Sequence, residues 1–344
     1  PQKTVRIIVP FAPGGGTDLV ARLTAQKLSE KYGQPFVVEN KPGAGGTAGT
    51  DLVAKAKPDG YTLGVVSGSH TINPSLYKTL PYDTLRDFVP ISNVGSNPFV
   101  MGVHKSVPAN NVQEFVALAR KNPGKYNYAS GGNGSGAHLC AELFKSMAGV
   151  DAVHVPYRGA PEIITSVMGG SALFGFPTLS TAVSLVKSGK IRALGVTGPK
   201  RNPAMPNVPP VGETVAGFEV VSWFGILAPG KFPVEMARRI DQEIQKALAE
   251  PAFRDKVQAD GTEIVGLGQA GFRTTCARTC KSGSARLNSA APRSIDQRVR
   301  AGGLQTESTL MFCAATTFCQ PVKSCARKRP SDCAPWAEGS MASS

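Results

Sequence analysis

Two glycine-rich turns are the places where this sequence could do chemistry. Gly14-Gly15-Gly16-Thr17-Asp18 and Ser130-Gly131-Gly132-Asn133-Gly134-Ser135-Gly136 each lie between a strand-like and a helix-like segment. A helix that starts on such a turn presents backbone N–H groups without intrahelical partners and about half a positive charge. It therefore attracts an anion without using Lys or Arg. For one turn alone, tight-turn geometry is the simpler reading. Two similar turns at the carboxyl ends of strands favour a binding site, and two such sites facing across a cleft suit a molecule with two carboxylates.

Competing chemistries are thinner. Gly132-x-Gly134-x-x-Ala137 matches a dinucleotide fingerprint, with Asp151 nineteen residues on, so a nicotinamide-nucleotide oxidoreductase using the Gly132–Ala137 loop is the alternative reading. Against it, Gly43-x-Gly45-x-x-Ala48 matches equally well in a chain with 38 glycines. Asp151 also precedes the next strand, whereas a ribose-binding acid belongs at that strand's far end. The four histidines, His70, His104, His138 and His154, show no metal spacing, and neither a phosphate loop nor a G-x-S-x-G elbow is present. Ser135 reads as a helix cap, with His138 in the first turn pointing at a ligand rather than acting as a base. The expectation is no catalytic residue, no metal and no cofactor.

The elements that must position these turns alternate from the start, the pattern of βαβ units and mostly parallel sheets. The sequence predicts strands over Val5–Phe11, Phe36–Glu39, Tyr61–Val66, Phe99–Val103, Tyr126–Ala129, Val153–Tyr157, Leu173–Phe176, Ile191–Val196 and Val220–Leu227. Helices are predicted over Leu19–Tyr32, Val112–Lys121, His138–Ala148, Pro161–Met168, Leu179–Ser188 and Glu235–Ala249. The chain can cross between two lobes at the irregular stretch Asn93–Val103 and at the strand Val220–Leu227. Core packing is the simpler reading for at least one of Trp223 and Phe224. The expected organisation is lobe 1 from 1–99 plus 226–265, lobe 2 from 100–225, and an atypical tail over 266–344.

A length of 344 residues with 41% hydrophobic and 18% charged residues supports two globular cores and excludes global disorder. No apolar run is long enough to span a bilayer. Residues 1–265 carry 27 Lys+Arg and 20 Asp+Glu, a net +7; residues 266–344 carry 11 and 4, another +7. In the body these basic residues are scattered singly, without an aromatic platform, so no nucleic-acid partner is expected. Opening at Pro1 on a strand-like segment fits an exported, mature form. Cys140 is the sole cysteine of the body; Cys276, Cys280, Cys313, Cys319, Cys325 and Cys333 crowd the tail. That shift, with the loss of periodicity near Gly266, leaves three readings: a frame change near 266–272, a disordered extension, or a zinc or disulfide module, the last weakened by the lack of a nearby His.

Taken together, several blocks resemble one family. They are Arg6–Asp18 with Ala21-Arg22, Val37–Gly46, Pro58–Leu63, Tyr128–Gly131, His138-Leu139, His154–Gly159, Gly189–Leu194, Pro206–Pro209 and Trp223–Pro229. In that order they resemble the Bug family, the substrate-binding proteins of tripartite tricarboxylate transporters. The resemblance implies an α/β fold of the type II periplasmic-binding-protein kind, two lobes with mixed sheets joined by a hinge and closing on a small carboxylate or amino acid. It also implies a periplasmic, monomeric solute-binding protein, not an enzyme, that serves an integral-membrane permease. Carried over by position, Gly14, Gly15, Gly16, Thr17 and Asp18 would grip ligand together with Ser130, Gly131, Gly134 and Ser135. Ser67, Gly68, His138, Tyr157, Gly159, Phe176, Pro177 and Thr178 are further candidates around the cleft. The family's final helix of the first lobe is where the resemblance implies a departure.

Overall fold

The structure, a computed structural model, describes residues 1–290. In β1 (Val5–Val9), Ile7 and Ile8 point to opposite faces and both are buried, as an interior parallel strand requires. The chain continues through α1 (Gly16–Tyr32), β2 (Phe36–Asn40), α2 (Thr47–Ala54), β3 (Thr62–Ser67), α3 (Ser69–Leu76) and β4 (Phe88–Pro98). Gly33, at φ 64°, ends α1 with its N–H on the Ser29 carbonyl. Phe99 alone separates β4 from β5 (Val100–Val103), which belongs to a second sheet. There follow α4 (Val112–Lys121), β6 (Tyr126–Ser130), α5 (Gly136–Ala148), β7 (Ala152–Pro156), α6 (Ala160–Met168), β8 (Phe174–Gly175), α7 (Leu179–Lys187) and β9 (Arg192–Val196). Asn111 caps α4 by accepting from the Glu114 N–H at 2.8 Å.

The chain returns to the first sheet in β10 (Val221–Pro229), then runs through α8 (Val234–Ala249), α9 (Pro251–Ala259), β11 (Glu263–Leu267) and α10 (Gln269–Ala290). The six-stranded sheet has the order β11-β4-β10-β3-β1-β2 and the five-stranded sheet the order β7-β6-β8-β5-β9. In the first, β1 pairs parallel with β2 and β3, while β10 lies antiparallel between β3 and β4. In the second, β6 runs parallel to both β7 and β8. Each sheet therefore has helices on its faces and a core of its own. One core gathers Phe115, Tyr128, Phe144 and Phe174; the other gathers Val5, Ile7 and Val9 with Ile240 and Ile244 of α8. This is the two-lobed α/β architecture implied by the resemblance, with mixed sheets and two chain crossings.

The structure differs from the sequence reading in three places. The stretch expected to be irregular from Asn93 is strand as far as Pro98, flanked by β10 and β11. Its buried Ser92, Asn93, Ser96 and Asn97 hide the period-2 pattern because the helices α8 and α10 pack on the strand, which is buried along its length. The return crossing comes earlier than 226: Val221 already pairs with Pro98 and Ser222 with Asn97, so 221–225 lie in the first sheet rather than the second lobe. Regular structure also continues past Gly266. Phe272 of α10 packs edge-on against Trp223 at 5.2 Å between ring centres and sits over Gly225, where any Cβ would collide with its ring. Cys276 joins the same buried cluster with Ile8, Val53, Val66 and Leu227. Phe272, Cys276 and Cys280 recur at helical spacing, a stripe that short apolar side chains made faint. Of the expected tail, residues 291–344, with Cys313, Cys319, Cys325 and Cys333, lie outside the described residues.

Candidate ligand-binding cleft

Four helices begin at one cavity between the lobes. From the first lobe α1 contributes Gly15, Gly16 and Thr17. From the second, α5 contributes Ser135, Gly136 and Ala137, α6 contributes Gly159 and Ala160, and α7 contributes Pro177 and Thr178. Each follows the carboxyl end of a parallel strand, which aims its unpaired N–H groups into the crevice. Phe11, Phe99, Ile163, Phe176 and Phe224 wall the cavity, and Ser67, Gly131 and Ser222 complete it. The space between them is about 490 Å³, its opening to solvent included. Among the described residues, none that lines the cavity carries a charge.

Beneath the first turn, Asp18 is buried and accepts three hydrogen bonds: from the Gly14 N–H at 2.8 Å, Arg22 Nε at 2.9 Å and Asn40 Nδ2 at 2.8 Å. Burial opposes its charge, but the bonds from Arg22, Gly14 and Asn40 outweigh this and hold its pKa below the usual carboxylate value. Asn40, paired with Val9 across β1 and β2, also donates to the Phe11 carbonyl at 3.0 Å. The turn is thus tied to the sheet by an ionised group.

The second turn rests on neutral ones. Ser130 Oγ lies 2.6 Å from His154 Nε2 and accepts from the Gly132 N–H at 3.1 Å. His138 Nδ1 accepts from the Gly134 N–H at 3.1 Å, and Ser135 caps α5 through the His138 N–H. The two imidazoles stack at 4.1 Å between ring centres, and His154 stacks in turn on Tyr128, whose hydroxyl donates to Glu142 at 2.5 Å. Burial lowers the pKa of His138 to about 4 and of His154 to about 3, so both are neutral near pH 7.

Of the residues predicted for the site, Gly15, Gly16, Thr17, Ser67, Gly131, Ser135, Gly159, Phe176, Pro177 and Thr178 line the cavity. Gly14, Asp18, Gly68, Ser130, Gly134, His138 and Tyr157 do not. Asp18, Ser130 and His138 brace the turns from behind, Tyr157 accepts from Ser166 at 2.7 Å, and Gly68 lies beside the Trp223 indole. The sequence reading missed Phe11, Phe99, Gly136, Ala137, Ala160, Ile163, Ser222 and Phe224. Strand alternation separates Ser222 and Phe224, on the cavity face, from Trp223, in the core, and that signal was available.

The lobes touch around the cavity mouth. The Tyr77 hydroxyl lies 2.9 Å from the Asn133 carbonyl of the second lobe and 3.1 Å from the Ala44 carbonyl of the first. A Cβ at Gly45 would strike the Asn133 carbonyl. On the other flank, Ser180 N–H of α7 donates to Asn97 Oδ1 at 3.2 Å, and Asn97 donates to Thr262 at 2.7 Å. The dinucleotide reading finds no support in this arrangement: the Gly132–Gly134 segment is packed against Gly45 and Tyr77, and Asp151 lies before β7, at the opposite end of the sheet from the turn. Among the described residues no group of His, Cys, Asp and Glu could hold a metal ion, and no helix is long and apolar enough to cross a membrane.

Known proteins share this fold. The periplasmic binding protein BugD superposes with a TM-score of 0.80 at 32% identity, over 84% of this chain and 98% of its own. Rpa4515 of R. palustris, solved with adipate, gives 0.78 at 34% identity over 84% and 96%. MatC of Rhodopseudomonas palustris, solved with bound malate, gives 0.78 at 27% identity over 83% and 99%. The model of the tripartite tricarboxylate transporter family receptor matches residues 20–280, so the match passes through the first turns of α10 rather than departing at 266–272. This chain belongs to the tripartite tricarboxylate transporter receptor family, the family of the Bug proteins.

Proposed function

We propose that this chain is an exported solute-binding protein that captures a small carboxylate or amino acid between its lobes and presents it to the membrane permease of a tripartite transporter. The observation that carries this reading is the convergence of four helix N-termini on one uncharged cavity. Oriented N–H dipoles stabilise a carboxylate at short range without a fixed cation, so the ligand is held and still released when the lobes part. The adipate and malate held by relatives support a carboxylate as the ligand. Gly15–Thr17, Gly131 and Ser135–Ala137 are the groups we assign to carboxylate contact, with Gly159 and Thr178 beside them. The mouth contacts of Tyr77 and Gly45 fit a closed state of a hinged monomer that works in the periplasm.

A thermal-shift panel of di- and tricarboxylates, amino acids and nicotinamide nucleotides tests this reading. At a hundredfold excess over Kd a true ligand stabilises by about 2.7 kcal/mol, a shift of several degrees. Stabilisation by a nicotinamide nucleotide, with none by any carboxylate or amino acid, would overturn it.

A further inference from the structure

The cavity's walls and its unpaired groups narrow the ligand class, an inference that rests on the binding reading above. Its walls are hydrocarbon: Phe11, Phe99, Phe176 and Phe224 from four crossing or sheet-end segments, and Ile163 from α6. Its polar groups are backbone N–H donors and side-chain hydroxyls. The helix N-termini supply N–H donors. Ser67, Ser135 and Thr178 have hydrogen-bond partners within the protein, in Ser69, the His138 N–H and Thr181. Thr17 and Ser222, both more than nine-tenths buried, line the cavity with hydroxyls that make no hydrogen bond among the described residues. Such unpartnered buried hydroxyls call for a partner from the ligand.

An ammonium group would find no charged partner here. It is a donor only, it meets a positive field from four helix ends, and among the described residues no acidic one lines the cavity. Asp18 and Glu162 adjoin lining residues in sequence; the Asp18 oxygens already accept from Gly14, Arg22 and Asn40, and Glu162 accepts from the Arg158 N–H. We infer that the cavity selects a carboxylate with an unsubstituted hydrocarbon skeleton, aliphatic or aromatic, and discriminates against amino acids and hydroxy acids. The carboxylate takes the N–H groups with the hydroxyls of Thr17 and Ser222. The carbon skeleton lies against the phenylalanines, where an added hydroxyl or ammonium loses its water without gaining a partner.

Isothermal titration of the full chain with succinate, glutarate, adipate, benzoate, malate, aspartate and glutamate tests the inference. The expected result is that the tightest ligand is one of the first four, with malate more than tenfold weaker and the amino acids weaker by roughly a hundredfold. Malate, aspartate or glutamate binding within tenfold of the best hydrocarbon acid overturns the inference and leaves the binding reading standing. Failure of every carboxylate and amino acid to bind overturns both. Phe11→Asn, at a half-buried wall position, gives a second readout: it should narrow the ratio between the best hydrocarbon acid and malate at least threefold, with folding checked by Tm. An unchanged ratio in a folded variant assigns the selectivity elsewhere and overturns the role of the wall.

Discussion

Around Gly14–Asp18 the groups beneath the turn are ionised, with the Asp18 carboxylate answered by Arg22; around Ser130–Ser135 they are neutral, with two stacked imidazoles in place of an ion pair. Both arrangements fix the backbone N–H groups of a strand-to-helix turn from behind, leaving the cavity side free of charge. The difference follows from surroundings. Arg22 reaches solvent with a half-exposed side chain, so the Asp18 pair keeps part of its hydration. His138 and His154 are enclosed by Tyr128 and α5, where a charge would lack water, so burial keeps them neutral.

The strongest way to break the comparison is Asp18→Ala. It strands the Gly14 N–H and the Asn40 amide and should cost roughly 2–3 kcal/mol, read by urea denaturation, with a loss of ligand affinity. A stability change below about 0.5 kcal/mol would show that the turn holds itself. The pH dependence separates the two turns. Because the folded-state pKa values of His138 and His154 lie below the unfolded value near 6.5, their contribution is present above pH 6.5. It is lost as pH falls toward 4, on the order of 1 kcal/mol per pH unit. The pKa of Asp18 is lowered, so its contribution is lost only as pH falls below the ordinary carboxylate value. A His138→Gln, His154→Gln double variant should therefore flatten the stability profile between pH 6.5 and 4.5 and leave the more acidic limb in place.

Smaller effects sharpen the same contrast. Ser130→Ala removes the partner of His154 and of the Gly132 N–H and should cost about 1 kcal/mol, measured by thermal denaturation. Arg22→Met leaves Asp18 its bonds from Gly14 and Asn40 and should cost no more than about 0.5 kcal/mol, since the pair is half-exposed at i,i+4 spacing. A larger loss would mean that the ion pair, not the backbone bond, holds the first turn.

Much of the cleft was legible because its main parts are local. A glycine turn, the strand before it and the helix after it lie within about twenty residues, and Gly15–Thr17, Gly131 and Ser135 were read from that alone. Residues beneath the turn, such as Asp18 and His138, carry the same sequence signal as those facing the cavity. Only packing separates them. Phe11, Phe99 and Phe224 were missed because they come from distant segments, and an aromatic side chain in a strand reads as core wherever it points.

The sequence by itself determined the alternating α/β plan, the two turns and the family, since hydrophobic period and turn chemistry act over short range. Tertiary structure decided which polar groups are consumed by the protein and which remain for a ligand. It also decided that β4 is buried on both faces despite its asparagines and serines, and that α10 completes the first lobe. These outcomes depend on contacts between residues such as Trp223 and Phe272, or Asn97 and Thr262, whose partners no local pattern identifies.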